Sequence, residues 1–312
     1  MRAIFMGTPD FAVPTLQAMI DAGHEVIGVF TQPDKARGRG KAVAYTPVKE
    51  KALSYGLPVF QPVKVRTPEV IEKIKAMAPD VIVVVAFGQI LPKALLDIPK
   101  YGCINVHASL LPKYRGAAPI QWAVINGEKV SGVTTMYMDV GLDTGDMILK
   151  EEIVLDKKET GGSLHDKLSV IGAGLLVKTL KQLEDGAAVR EKQDDALAGD
   201  YAKMLDKHMG RIDFSQPAQN IERLIRGLNP WPSAYTRLGG KTVKLWEADV
   251  TDKEYEGNYG EIVEVTKEAF TVKTGRGGLI VRELQMEGKK RMRTDAFLRG
   301  FTVSKGDSFS QE

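Results

Sequence analysis

A single cysteine, Cys103, stands in a chain of 312 residues, so no intramolecular disulfide framework is possible and the chain suits a reducing compartment. It sits in an apolar strand pattern and reads as a small buried residue, not a nucleophile. Histidine is almost as scarce. His24, His107, His165 and His208 are the only four, and none has zinc-ligand spacing, so no metal is expected. No apolar stretch approaches the length of a membrane span. The opening Met1–Met6 is too short for a secretory core and passes straight into the turn Gly7-Thr8-Pro9. A cytoplasmic protein that does not meet a membrane is expected. Neither sign of charge dominates: 43 Lys+Arg against 40 Asp+Glu leave a net +3, which does not by itself point to nucleic acid. Two nucleotide signatures are also missing. The turn after the first strand is not followed by GxGxxG, which disfavours a dinucleotide role. Gly40-Lys41 is followed by Ala42 and not by Ser or Thr, so this is not a Walker loop.

What is present is an ordinary globular composition, 43% apolar and 27% charged, in a chain long enough for two domains. Ala3–Met6, Pro14–Ala22 and Glu25–Thr31 read as strand, helix and strand, a βαβ opening that predicts a parallel sheet. Gln32–Thr46 reads as a long connection whose Lys35, Arg37, Arg39 and Lys41 suit phosphate contacts or, equally, a solvated loop. Helices are expected at Pro47–Tyr55 and at Thr67–Met77, the latter with Thr67 as cap and Pro68 in the first turn. Val59–Gln61 reads as a short strand. Val81–Val85 is a continuous β-branched run, the pattern of a strand buried on both faces.

The next strand, Gly102–His107, carries the chemistry. Asn105 and His107 are two apart and so share a face. A carboxamide donor beside a proton-exchanging ring suits acyl-group chemistry, in which a carbonyl oxygen gains negative charge. A lone His at a strand end is also a common structural residue. Phe87-Gly88 and Ser109, Leu110, Leu111 and Pro112 follow neighbouring strands and together are read as the lining of an apolar slot. After a helix at Ala117–Asn126 and a strand at Val133–Met138 comes Asp139-Val140-Gly141-Leu142-Asp143-Thr144-Gly145-Asp146. It reads as a turn before the return strand Met147–Val154, and it lacks EF-hand spacing. Gly162–Asp185 is a helix whose Leu164, Leu168, Ile171, Leu175 and Leu176 form a core stripe.

The pattern weakens after Gly186. Domain boundaries are expected at 1–189 and 207–312, with a linker at 190–206. A helix at Ala218–Leu228 is broken by Asn229-Pro230-Trp231-Pro232. Five short strands follow, Ala234–Leu238, Lys241–Ala248, Gly260–Thr266, Ala269–Thr274 and Leu279–Gln285, in the manner of a small OB-like barrel. The class is therefore α/β: a Rossmann-like, open, parallel-rich sheet domain followed by an OB-like β-barrel domain.

Asn105-Val106-His107-Ala108-Ser109-Leu110-Leu111-Pro112-Lys113-Tyr114-Arg115-Gly116, together with Gly141–Gly145, resembles the folate-dependent formyltransferase family. Met6–Ala12 and Leu228–Thr236 are similar to the branch that formylates an aminoacyl-tRNA, and the likeness extends over almost the whole chain. Ser233 is a small departure, glycine being common there in relatives. The resemblance implies 10-formyltetrahydrofolate as co-substrate and formyl transfer to the α-amino group of methionine on initiator tRNA. It implies Asn105, His107 and Asp143 as the catalytic trio and Ser109–Pro112 as a folate-contacting segment. It also implies that Arg39 lies in a loop that approaches the tRNA and that the barrel holds the tRNA. A monomer is expected. Three alternatives stay open. One is the same chemistry on a sugar nucleotide or glycinamide ribonucleotide. Another is hydrolysis of the formyl donor. The third is a non-catalytic RNA-binding module using the barrel and the Lys289–Arg293 cluster, which also reads as a solvated turn.

Overall fold

Val81–Val85 is buried along its whole length, inside a seven-stranded sheet. The structure is a computed structural model that describes residues 1–37 and 42–310, with backbone alone at positions 36, 37, 42 and 43. Contacts divide the chain into two units. One is Met1–Gly116 with Val130–Val154 and His165–Ala202; the other is Ala117–Lys129 with Leu155–Leu164 and Lys203–Glu312.

In the first unit the chain runs β1 (Arg2–Gly7), α1 (Val13–Asp21), β2 (Glu25–Phe30), β3 (Lys35–Arg37), β4 (Ala42–Ala44) and α2 (Pro47–Ser54). It continues through β5 (Val59–Phe60), α3 (Pro68–Ala76), β6 (Val81–Val85), α4 (Lys93–Leu96) and β7 (Cys103–His107). After α5 (Pro119–Ile125), which belongs to the second unit, come β8 (Val130–Tyr137), β9 (Met147–Val154) and α6 (Gly161–Glu184), whose first residues, through Leu164, are counted with the second unit. The sheet order is β5-β2-β1-β6-β7-β8-β9. The first five strands are mutually parallel, and β8 and β9 are antiparallel additions. Strand order reverses between β1 and β6, so the crevice of this open sheet lies beyond their carboxyl ends. Those ends are tied together: the Thr8 hydroxyl and the Gln32 carboxamide each donate to the Phe87 carbonyl at 3.1 Å. Ile4, Met6, Phe30, Ile82, Val84 and Phe87 pack in one core cluster beneath.

Several local expectations are refined. Gln32–Thr46 is not a bare connection, because β3 and β4 pair antiparallel within it. Its base is pinned by an ion pair between Lys49 and Asp34, while the Gln61 carboxamide donates to Asp34 Oδ1 at 2.8 Å and to the Gln32 carbonyl at 2.9 Å. Thr46 caps α2, accepting from the Lys49 N–H at 3.2 Å. Thr67 occupies the equivalent position at α3 but makes no side-chain cap bond. In α6, Leu164, Leu168, Leu175 and Leu176 are buried and Ile171 is half-buried.

The segment 190–206 is more than a linker. Glu191 bridges to Met147, Gln193 is buried, and the Ala202 N–H donates to the Arg115 carbonyl at 2.8 Å. Its polar composition looks like a tether, yet these groups hydrogen-bond to strand edges and loops of the first unit.

The second unit holds α5, α7 (Ala218–Gly227), β10 (Ala234–Leu238), β11 (Lys241–Thr251), β12 (Ile262–Val265), β13 (Phe270–Lys273) and β14 (Gly278–Met286). Beyond the five expected strands it adds β15 (Met292–Arg293), α8 (Thr294–Gly300) and β16 (Phe309–Ser310). The order is β12-β13-β14-β11-β10-β16, antiparallel throughout. The Ile262 N–H donates to the Asp307 carbonyl at 2.8 Å and the Phe309 N–H to the Gly260 carbonyl at 2.9 Å. The last strand therefore curls back to the first, and the sheet is a partly closed barrel. Ile221 and Ile225 of α7 enter its core. Leu224, one turn over, packs with Ala118, Trp122, Leu205 and Leu228. Among the described residues no helix is long and apolar enough to cross a membrane.

Candidate active site

β7 presents Asn105 and His107 on one face while Ile104 and Val106, on the other, are buried. His107 is itself 6% exposed. Its Nε2 lies 2.9 Å from the Tyr114 carbonyl, which can only accept, so Nε2 carries a proton. The other ring nitrogen, Nδ1, lies 3.7 Å from Asp143 Oδ2. The Asn105 carboxamide is half-buried and makes no hydrogen bond among the described residues.

Asp143 arrives from an unexpected direction. β8 runs antiparallel to β7 and pairs Thr134 with His107 but Tyr137 with Ile104. The chain therefore leaves β8 at the far end of β7, where the Met138 N–H donates to the Cys103 carbonyl at 2.8 Å. The loop then runs back along β7 to bring Asp143 to the imidazole. It is tightly folded: Asp143 has φ 56°, and a Cβ on Gly145 would stand 1.9 Å from the Tyr137 carbonyl. Asp is among the few side chains that tolerate this left-handed backbone.

One tripeptide holds both acid and imidazole. The Tyr114 carbonyl fixes the ring, and the Gly116 N–H donates to Asp143 Oδ2 at 2.9 Å. Between them, the Arg115 Nε donates to the Gln193 carboxamide oxygen at 2.9 Å, and Gln193 Nε2 in turn donates to the Asp143 and Gly145 carbonyls at 2.8 Å each. Gly116, at φ 125°, must be glycine, since a Cβ would lie 2.6 Å from the Ala202 carbonyl. Nothing in the local pattern singles out Gln193, a polar residue in a polar stretch; only the fold brings it to the loop.

The structure also places the other expected residues. The Phe87 ring is 2% exposed and belongs to the core, and its carbonyl is taken by Thr8 and Gln32. Gly88 has φ 80° in the turn beyond β6. Ser109 is buried and donates to the Lys113 carbonyl at 2.7 Å; its own carbonyl accepts from buried Thr134 at 2.7 Å. Leu110 lies against Gly132, Leu111 packs with Met136 and Met147, and Pro112 is half-buried. The large exposed apolar side chains on the loops after β6 and β8 are, among the described residues, Ile90, Val140 and Leu142, at 72%, 74% and 56%. Lys35 is exposed; the side chain of Arg37, and Arg39 and Lys41 altogether, lie outside the described residues. In the Lys289–Arg293 cluster, Arg291 pairs with Glu283 and covers the Trp246 ring at 4.7 Å, and Arg293 lies 3.8 Å from Asp295. Burial pushes the Cys103 thiol up to about 12. Among the described residues no group of three or more His, Cys, Asp or Glu could hold a metal ion.

Two family descriptions match this chain: formyl transferase over residues 1–180 and the formyl transferase C-terminal domain over residues 204–302. A methionyl-tRNA formyltransferase of Agathobacter rectalis is 59% identical over 310 residues, spanning 99% of this chain and 100% of that protein. One of Clostridioides difficile is 54% identical over 306 residues, 98% of this chain and 99% of that protein. Among solved structures, the sugar 3N-formyltransferase WlaRD, crystallised with dTDP and 5-N-formyl-THF, shares the fold at TM-score 0.67 and 19% identity, covering 93% of this chain and 99% of that one. HypX from Aquifex aeolicus in complex with tetrahydrofolic acid does so at TM-score 0.63 and 17% identity, covering 99% of this chain and 50% of that one.

Proposed function

The chain belongs to the formyl transferase family in both its domains, and from that premise we propose that it moves the formyl group of 10-formyltetrahydrofolate to the α-amino group of methionine on initiator tRNA. The observation that carries the chemistry is the uncommitted Asn105 carboxamide on the same strand face as a buried imidazole, 3.7 Å from a carboxylate.

The α-amino group of an aminoacyl ester is neutral in good part near pH 8. Its lone pair attacks the formyl carbon, the new C–N bond forms, and the carbonyl oxygen becomes an oxyanion. Asn105 Nδ2 donates to that oxygen, an interaction worth on the order of 10²–10³ in rate. The bond from the formyl carbon to the folate nitrogen then breaks. One proton leaves the attacking amine and one reaches the departing nitrogen, so the step balances with no further reactant. His107 Nδ1 relays it, with Asp143 facing the imidazolium that forms; such help is worth roughly 10²–10⁴. Ile90, Val140 and Leu142, rather than the Phe87 ring, are the apolar side chains available to border the folate. Lys35, Arg37, Arg39 and Lys41 meet the tRNA phosphates. The enzyme acts as a monomer in the cytoplasm, where charged tRNA is found.

The test is transfer of labelled formyl from 10-formyltetrahydrofolate to charged initiator tRNA, with a sugar nucleotide amine and water as competing acceptors. Label in N-formylmethionyl-tRNA is the expected result. Label only in the sugar, or folate release without an amine, overturns the reading.

A further inference from the structure

We propose that Gln193 is a positioning residue for Asp143, acting by clamping the backbone of the turn that carries it; the proposal rests on the formyl-transfer reading above. Gln193 is 7% exposed and uses its whole carboxamide. Both amide hydrogens go to carbonyls, those of Asp143 and Gly145, and the oxygen accepts from Arg115 Nε. The orientation is dictated chemically. Rotated by half a turn, the carboxamide would set its oxygen against two carbonyls and its NH2 against an N–H. Arg115 is held in turn, its Nη2 donating to Asp195 Oδ1 at 2.8 Å.

The turn needs this hold. A left-handed backbone at a residue other than glycine persists only where the surrounding structure holds it, and Asp143 has φ 56°. Gly116 fixes the carboxylate from one side and Gln193 fixes the main chain from the other. Beyond Gln193 lies a polar cleft of about 370 Å³ bordered by Tyr137, Asp146, Arg190 and Lys192. Loss of the carboxamide would open the two carbonyls to water in that cleft, and the turn would move independently of His107.

The experiment is a double-mutant cycle on formyl transfer with Gln193→Leu and Asp143→Asn, read as kcat and KM separately. Gln193→Leu should lower kcat by about tenfold or more, with both KM values within about twofold. On the Asp143→Asn background it should add less than about twofold, because the group it positions is already gone. Multiplication of the two single effects overturns the proposal, as does an unchanged kcat. Amide hydrogen exchange gives a second reading that does not depend on the acceptor. Residues 139–146 should lose protection in Gln193→Leu while β6 keeps its own; loss spread across the whole first sheet means a general structural role and overturns it. If Gln193→Leu does not fold, Gln193→Glu, which keeps the acceptor for Arg115 and loses both donors, takes its place with the same criteria. A wild type that makes no N-formylmethionyl-tRNA refutes the substrate reading, and the exchange arm still decides the clamp.

Discussion

Asp143→Asn is the cleanest single-atom test of the site. Asparagine tolerates the same backbone and can still accept from Gly116, so the change removes charge and leaves geometry. Turnover should fall by about 10²–10³ with tRNA affinity retained, measured by single-turnover transfer beside tRNA binding. Asn105→Ala should lower kcat by a similar factor of about 10²–10³ while folate affinity holds. Cys103, on the same strand, should be inert. A buried thiol held up to about 12 has no thiolate to offer, so the native protein should resist alkylation at pH 8 and react once unfolded, as read by mass.

Helix starts separate two residues that look alike in sequence. Thr46 and Thr67 each precede a proline that opens a helix, but only the Thr46 hydroxyl accepts a backbone N–H, and it also bonds Thr31 at 2.7 Å in the buried region. Thr46→Ala should cost about 1–2 kcal/mol and Thr67→Ala much less, by urea unfolding. The basic segment between β3 and β4 is read from composition. Arg39→Ala should weaken use of the tRNA and leave folate binding intact; a loss of folate affinity alone would contradict that role.

Acid should erode the whole protein in two steps, and the sign follows from three groups. Burial chiefly holds His24 below its ordinary value, so its contribution is present above about pH 6.5 and is lost as pH falls below that. Asp34 is held below the carboxylate range chiefly by hydrogen bonding to Lys49, and Asp249 chiefly by hydrogen bonding to Lys158, with Arg282 adding to it. Their contributions are complete above about pH 4 and go as pH falls further. All three folded-state shifts favour the deprotonated form, so the unfolded chain binds more protons in acid. The urea midpoint should drop first as pH falls below about 6.5 and again as it falls below about 4, and Asp249→Asn should flatten the second fall. A midpoint that rises on acidification would contradict the assignment.

Periodicity and composition carried most of the architecture, because burial on two faces leaves an unmistakable run at Val81–Val85 and burial on one face leaves the alternation of β10. They carried Asn105 and His107 as well, since a strand places residues two apart on one face whatever surrounds it. What they could not carry were relations between distant segments. The path of the Asp143 loop back along β7, the burial of the Phe87 ring and the grip of Gln193 fifty positions beyond the aspartate each depend on which carbonyls are left to be satisfied once strands have paired. Hydrogen-bond demand of that kind arises only on assembly, so a polar residue reads as a tether in the chain and becomes a clamp in the fold.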